Sequence, residues 1–164
     1  MAIMTGPEAR RAGYNLPMGW NRIEISPVAW DAMLDHVLAC LPEEGCGLLA
    51  GSAGLANMAI PVENQSHSPN RFRMAPAAQI EAMLRVEKLE LELMAIFHSH
   101  PNGPEGPSAT DLADAAYPEL AYLVWTPSPD WTCRAFDLSE KQPRLLTIRR
   151  RGAGGAQSGE DKDG

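Results

Sequence analysis

The sequence predicts a single α/β domain in which a mixed β-sheet carries flanking helices, and three observations predict it. Strand-like and helix-like segments alternate through the first two thirds of the chain. Strands dominate the last third, a pattern that suits helices packed on a sheet better than separate layers of either kind. The length of 164 residues, with 45% apolar against 21% charged positions, is that of one domain with a real core.

"NRIEI" from Asn21 reads as a short strand, and Ser26-Pro27 starts a helix, with serine as N-cap and proline at the first helical position. Trp30, Met33, Leu34, Val37, Leu38 and Leu41 then recur at the spacing of one buried helix face, and the helix should stop at Pro42. His36 lies off that stripe and is expected in solvent. "CGLLAG", "NMAIPVEN" and "RFRM" are strand-like. The stretch from Pro76 to about Leu91 should be a second helix, with Ile80, Met83, Leu84, Glu87 and Leu91 along or near its inner face. "LMAIFHS" reads as a buried strand and "LADAAY" as a short helix. "LAYLVWTP", "WTCRAFDL" and "RLLTIRR" close the domain as three strands, the first two joined by a Pro-rich turn.

The working domain is therefore residues 21–150. Residues 1–20 mix Gly, Pro and charge without a period, and residues 151–164 are Gly-rich and polar, so both ends are expected to be disordered. A formal charge of -7 argues against a nucleic-acid partner, which needs clustered Lys and Arg. Cys40, Cys46 and Cys133 form neither a C-x-x-C pair nor a disulfide framework and are expected as small buried hydrophobes. No apolar run suggests a signal peptide or a membrane span, so a cytoplasmic location and no membrane partner are expected.

The chemistry concentrates in "HSHPNGPEGPSATD", His98 to Asp111. At the end of a strand, His98 and His100 face the same way, about 6.6 Å apart along the chain, so two imidazoles can converge on one ion. Pro101 stops the strand, "NGPEGP" turns the chain, and "SATD" has the form of a capping box with Ser108 as N-cap. Asp111, held in the first helical turn, could return beside the histidines as a third ligand. Two His and one carboxylate with a place left for water make a catalytic rather than a structural zinc site. Glu43 and Glu44 of "LPEEGCGLLAG" are candidates for the proton carrier such a site needs.

These residues resemble the JAMM (MPN+, JAB-domain) metalloproteases: a Glu ahead of a "G-L-L-x-G" strand, then H-x-H-P, six residues and S-x-x-D, here "EGCGLLAG" from Glu44 and "HSHPNGPEGPSATD" from His98. The resemblance covers roughly Ile23 to Ile148 and implies a curved mixed sheet of JAMM/MPN, cytidine-deaminase-like architecture. It further implies that His98, His100 and Asp111 bind one Zn2+ with a bound water, and that Glu44, three residues before Gly47, is the general base and then acid. Ser108 would stabilise the oxyanion, and Ser99 would be structural. The implied reaction is hydrolysis of the peptide or isopeptide bond after the C-terminal Gly-Gly of a ubiquitin-like protein or sulfur carrier, as in the minimal prokaryotic members. "NQSHSPNRFRM" would form a flexible rim beside the substrate groove, with His67 exposed.

An alternative keeps the metal chemistry but trims a single residue, such as cysteine, from a sulfur-carrier C-terminus during amino-acid biosynthesis. A non-catalytic MPN scaffold would have lost ligand residues, and here all are present. RadC-like proteins share an "H-x-H-P-x-G" segment but fit poorly with the upstream "EEGCGLLAG" and the acidic balance. No H-E-x-x-H, deaminase P-C-x-x-C or nucleophile-elbow pattern accompanies the histidines.

Overall fold

The computed structural model describes residues 20–152 of the chain. The N-terminal segment expected to be disordered lies outside these except for Trp20, and so does the C-terminal one except for Arg151 and Gly152. Trp20 packs partly against the core, and the Arg151 N–H donates to the Ile25 carbonyl at 3.0 Å.

Seven strands and three helices follow one another: β1 (Arg22–Ile25), α1 (Pro27–Cys40), β2 (Cys46–Ser52), β3 (Leu55–Val62), α2 (Pro76–Lys88), β4 (Glu92–Ser99), α3 (Ala109–Asp114), β5 (Ala121–Pro127), β6 (Trp131–Asp137) and β7 (Arg144–Arg150). The strand order is β1-β3-β2-β4-β5-β6-β7, and β1 pairs in parallel with both β3 and β7, so the mixed sheet curls until it closes. β2 runs antiparallel to β3 and β4, β4 parallel to β5, and β5, β6 and β7 antiparallel in turn.

The core lies on both sides of the central strands. Leu49, Phe97 and Leu123 join Met33 and Val37 of α1, whereas the alternate residues Leu48, Ile96 and Val124 join Ala82 and Val86 of α2. Strands covered on both faces read as unbroken apolar runs, which is why "CGLLAG", "LMAIF" and "LAYLVW" show no polar alternation. Gly51 is required where β2 turns into β3, because a Cβ there would fall on the Leu55 carbonyl.

Ser26 caps α1 as expected, its hydroxyl accepting the Ala29 N–H at 3.2 Å, and the helix ends before Pro42. The buried face is turned from the expected one: Ala29, Met33 and Val37 are covered, while Leu38 and Leu41 are 40% and 45% exposed. His36 is half-buried rather than in solvent, with Nε2 at 3.0 Å from the Cys46 carbonyl oxygen. In α2 the correction is larger, since Ala82 and Val86 face the sheet and Ile80 and Leu84 are 56% and 55% exposed. Met83 and Leu91 pack partly against the core, and Glu87 is exposed. "RFRM" is not a strand: among the described residues its strand-type pairing is a single isolated bridge, between Asn64 and Met74. α3 begins at Ala109, before "LADAAY", and stops at Asp114, with none of its residues buried. The three cysteines are free, Cys46 buried and the other two half-buried. Among the described residues no helix is long and apolar enough to cross a membrane.

Candidate metal centre

The sheet brings the two motifs together at one rim. Cys46, which opens β2, pairs with His98 near the end of β4, so the loop carrying Glu44 meets the histidines although more than fifty residues separate them. Ser99 faces away from the histidines and holds this junction: its hydroxyl accepts the Gly45 N–H at 2.8 Å, and its own N–H donates to the Gly45 carbonyl at 2.9 Å.

His98 and His100 converge until their Nε2 atoms are 2.9 Å apart. Asp111 Oδ2 completes the triangle at 3.2 Å from His98 Nε2 and 3.0 Å from His100 Nε2. It is placed there by the capping box of α3, in which the Ser108 hydroxyl accepts the Asp111 N–H and Asp111 Oδ2 accepts the Ser108 N–H. One carboxylate oxygen thus both caps the helix and faces the imidazoles. His100 Nδ1 donates to the Pro104 carbonyl at 2.7 Å, which fixes the tautomer with the Nε2 lone pair pointing inward. His98 stacks on Phe72, ring centroids 4.3 Å apart, and its buried Nδ1 has no partner among the described residues.

Glu44 is 3% exposed, with Oε1 at 4.0 Å from His100 Nε2 and Oε2 buried without a partner among the described residues. Glu43 turns outward instead, 3.3 Å from the exposed His67, which also lies 3.6 Å from Glu63. Burial pushes the Glu44 carboxyl up to about 8, against the pull of His100 and with the push of Asp111. Burial would raise Asp111 as well, but its bonds to His100 and His98 hold it well below the usual carboxylate range. Burial lowers His98; for His100 the bonds to Asp111 and to the Pro104 carbonyl outweigh burial and raise it.

The donor set fits a metal ion. Tetrahedral zinc with bonds of about 2.0–2.1 Å has ligand atoms about 3.3 Å apart. The spacings of 2.9–3.2 Å among His98, His100 and Asp111 fall just short of that edge, and three buried acceptor atoms at such spacing need a shared cation or shared protons. Glu44, His98 and His100 also fall within 4.8 Å of one another. At 4.0 Å from His100, however, the Glu44 carboxylate is too distant for a ligand edge and close enough to bond a water between them.

Beside this centre lies a cavity of about 420 Å³ walled by Phe72, Met74, Ile96, His98, Tyr117 and Tyr122 among others. One wall is the segment before α2, with Arg71, Phe72, Arg73 and Met74. There Arg71 and Arg73 offer main-chain groups to Asn64 and Gln65, and Ala75 to Glu63, while the main-chain groups of Phe72 and Met74 make no hydrogen bond among the described residues.

Residues 26–139 match the family described as prokaryotic homologs of the JAB domain. The chain belongs to that family. Its relatives include the probable TtuB-protein conjugate cleaving protease of Thermus thermophilus, 36% identical over 69% of this chain and 74% of that one. The desampylase of Haloferax volcanii is 29% identical over 78% and 96% of the two chains. The CysO-cysteine peptidase of Mycobacterium tuberculosis is 33% identical over 57% and 66%. A protein from Desulfitobacterium hafniense solved in solution superposes with a TM-score of 0.72 at 29% identity, covering 80% of this chain and 94% of that one. In this JAB domain all five residues singled out from the motif, Glu44, His98, His100, Ser108 and Asp111, stand at one rim of the sheet. Sequence reasoning gave Asn64 and Phe72 no role beyond membership of the rim segment "NQSHSPNRFRM", since their local signal is an Asn after a strand and an aromatic in a polar loop.

Proposed function

We propose that this JAB-family hydrolase is a zinc peptidase that cleaves the bond after the C-terminal Gly-Gly of a ubiquitin-like protein or sulfur carrier. The observation that carries the reading is the triangle of His98 Nε2, His100 Nε2 and Asp111 Oδ2, with the Glu44 carboxylate beside it. These three residues would hold the ion, which when bound lowers the pKa of a water and polarises a carbonyl. Glu44 takes the nucleophile's proton and passes it to the leaving amine. Burial raises this carboxyl and so makes it a better proton acceptor than an exposed glutamate, which suits that shuttle. Ser108 Oγ accepts from Asp111 N–H, which leaves its own proton to donate to the developing oxyanion.

The substrate tail has a place to lie. A closed sheet offers few open edges, but Phe72 and Met74 line the cavity beside His98, and their main-chain groups, without a hydrogen bond among the described residues, can pair with an extended segment. Glycine suits the residues nearest the metal, since it lets the backbone approach most closely. The names of the relatives support such a substrate: one is a probable TtuB-protein conjugate cleaving protease, one a desampylase and one a CysO-cysteine peptidase.

The experiment supplies zinc-loaded protein with a sulfur carrier joined through Gly-Gly to a lysine side chain and, separately, with the same carrier extended by one cysteine. Intact-mass measurement of the products should show a carrier ending in Gly-Gly from the first substrate, abolished by chelator. Release of carrier from the second alone would replace isopeptide cleavage with single-residue trimming.

A further inference from the structure

Asn64 is 7% exposed and uses its whole side chain. Nδ2 donates to the Glu44 carbonyl and the Arg71 carbonyl, each at 3.0 Å, and Oδ1 accepts the N–H groups of Ser66 and Arg73, each at 3.0 Å. Two donors and two acceptors are thereby satisfied, the full capacity of a carboxamide. Three of the four partners belong to the loop that presents Phe72 and Met74, and the fourth is the main chain of Glu44. The Glu44 N–H adds a bond to the Ser68 carbonyl at 2.9 Å in the same loop.

We infer that Asn64 is a positioning residue that fixes the proton carrier Glu44 and the substrate-facing edge at Phe72–Met74 as one rigid unit. A buried carboxamide bonded on all sides is costly to disturb, because each lost partner leaves a polar group unpaired. The placement of Glu44 against the histidines is thereby coupled to the placement of the edge that would receive the tail. This inference rests on the role given above to Glu44.

Two variants separate the donor half of the carboxamide from the acceptor half. Asn64→Asp has no donor for the Glu44 and Arg71 carbonyls but keeps an acceptor for Ser66 and Arg73, which still tie down the loop carrying Phe72 and Met74, whereas Asn64→Ala removes all four bonds. With a carrier joined through Gly-Gly to a fluorescent protein, Asn64→Asp should lower kcat at least tenfold with KM within about twofold. Asn64→Ala should lower kcat and also raise KM about fivefold or more, with zinc content unchanged in both. A purely structural Asn64 would lower Tm in both variants and leave kcat and KM of the folded protein alone, and that result overturns the inference. If the wild-type protein cleaves nothing, the functional reading fails and hydrogen exchange decides this one. The Glu44 and Gly45 amides should then exchange faster in Asn64→Asp while those of Ser66 and Arg73 stay protected; unchanged protection at Glu44 refutes it. Should neither variant fold, the wild-type side-chain amide protons of Asn64 must exchange slowly, and rapid exchange counts against the unit.

Discussion

Glu44 and Glu43 are neighbours with opposite fates, and the difference is one of position rather than chemistry. Glu43 meets His67 in solvent, whereas Glu44 is carried inward by the pairing of Cys46 with His98. Within the triangle, His98→Ala or Asp111→Ala should lose both zinc and turnover, read by metal analysis alongside the cleavage assay. Zinc affinity should also depend on pH through His100. Its pKa is raised above the ordinary 6.5, so a proton competes for Nε2 already above that pH. As pH falls through this range affinity should drop, by about tenfold per unit for one competing proton, in a zinc titration between about pH 8 and 5.5. A constant affinity across that range would show that His100 is no ligand. The histidines and Asp111 were legible in the sequence because strand alternation and a capping box fix them locally. Asn64 and Phe72 were not, because each acts on groups that only the fold brings near.

At the level of elements, α2 shows what periodicity leaves open. Ile80, Met83 and Leu84 form the more apolar stripe, yet the helix sits against the sheet through the small Ala82 and the β-branched Val86. A spacing of three and four residues marks a face but does not say which of two faces meets the sheet, and close packing here favours the smaller side chains. Ile80→Lys or Leu84→Lys should therefore change stability by no more than about 0.5 kcal/mol in urea unfolding. Val86→Ala, by removing two buried methyl groups, should cost about 2 kcal/mol. The reverse ranking would contradict the packing. The short "RFRM" segment misled for a related reason: its residue types favour a strand, but the Asn64 carboxamide bonds the Arg71 carbonyl and the Arg73 N–H in place of a neighbouring strand.

For the whole molecule, the class was legible and the closure was not. Alternating segments predict a mixed sheet with helices, but nothing local in "NRIEI" or "RLLTIRR" says that β1 and β7 pair. They do so in parallel through Arg22–Thr147, Ile23–Ile148, Glu24–Arg149 and Ile25–Arg150, and Arg150 lies 4.4 Å above the Trp30 ring of α1. A chain ending at Leu146 should lose this seam and fail to unfold cooperatively, as read by calorimetry. The closed sheet holds the rim on which Glu44, His98, His100 and Asp111 meet, so the central claim concerns one assembled site. The measurement that tests it most directly sets zinc content beside turnover of the carrier fusion for wild-type protein and Glu44→Gln. The account expects one zinc per chain in both, with turnover in the wild type alone. Equal turnover in Glu44→Gln, or wild-type protein that takes up no zinc when supplied with it, would contradict the account.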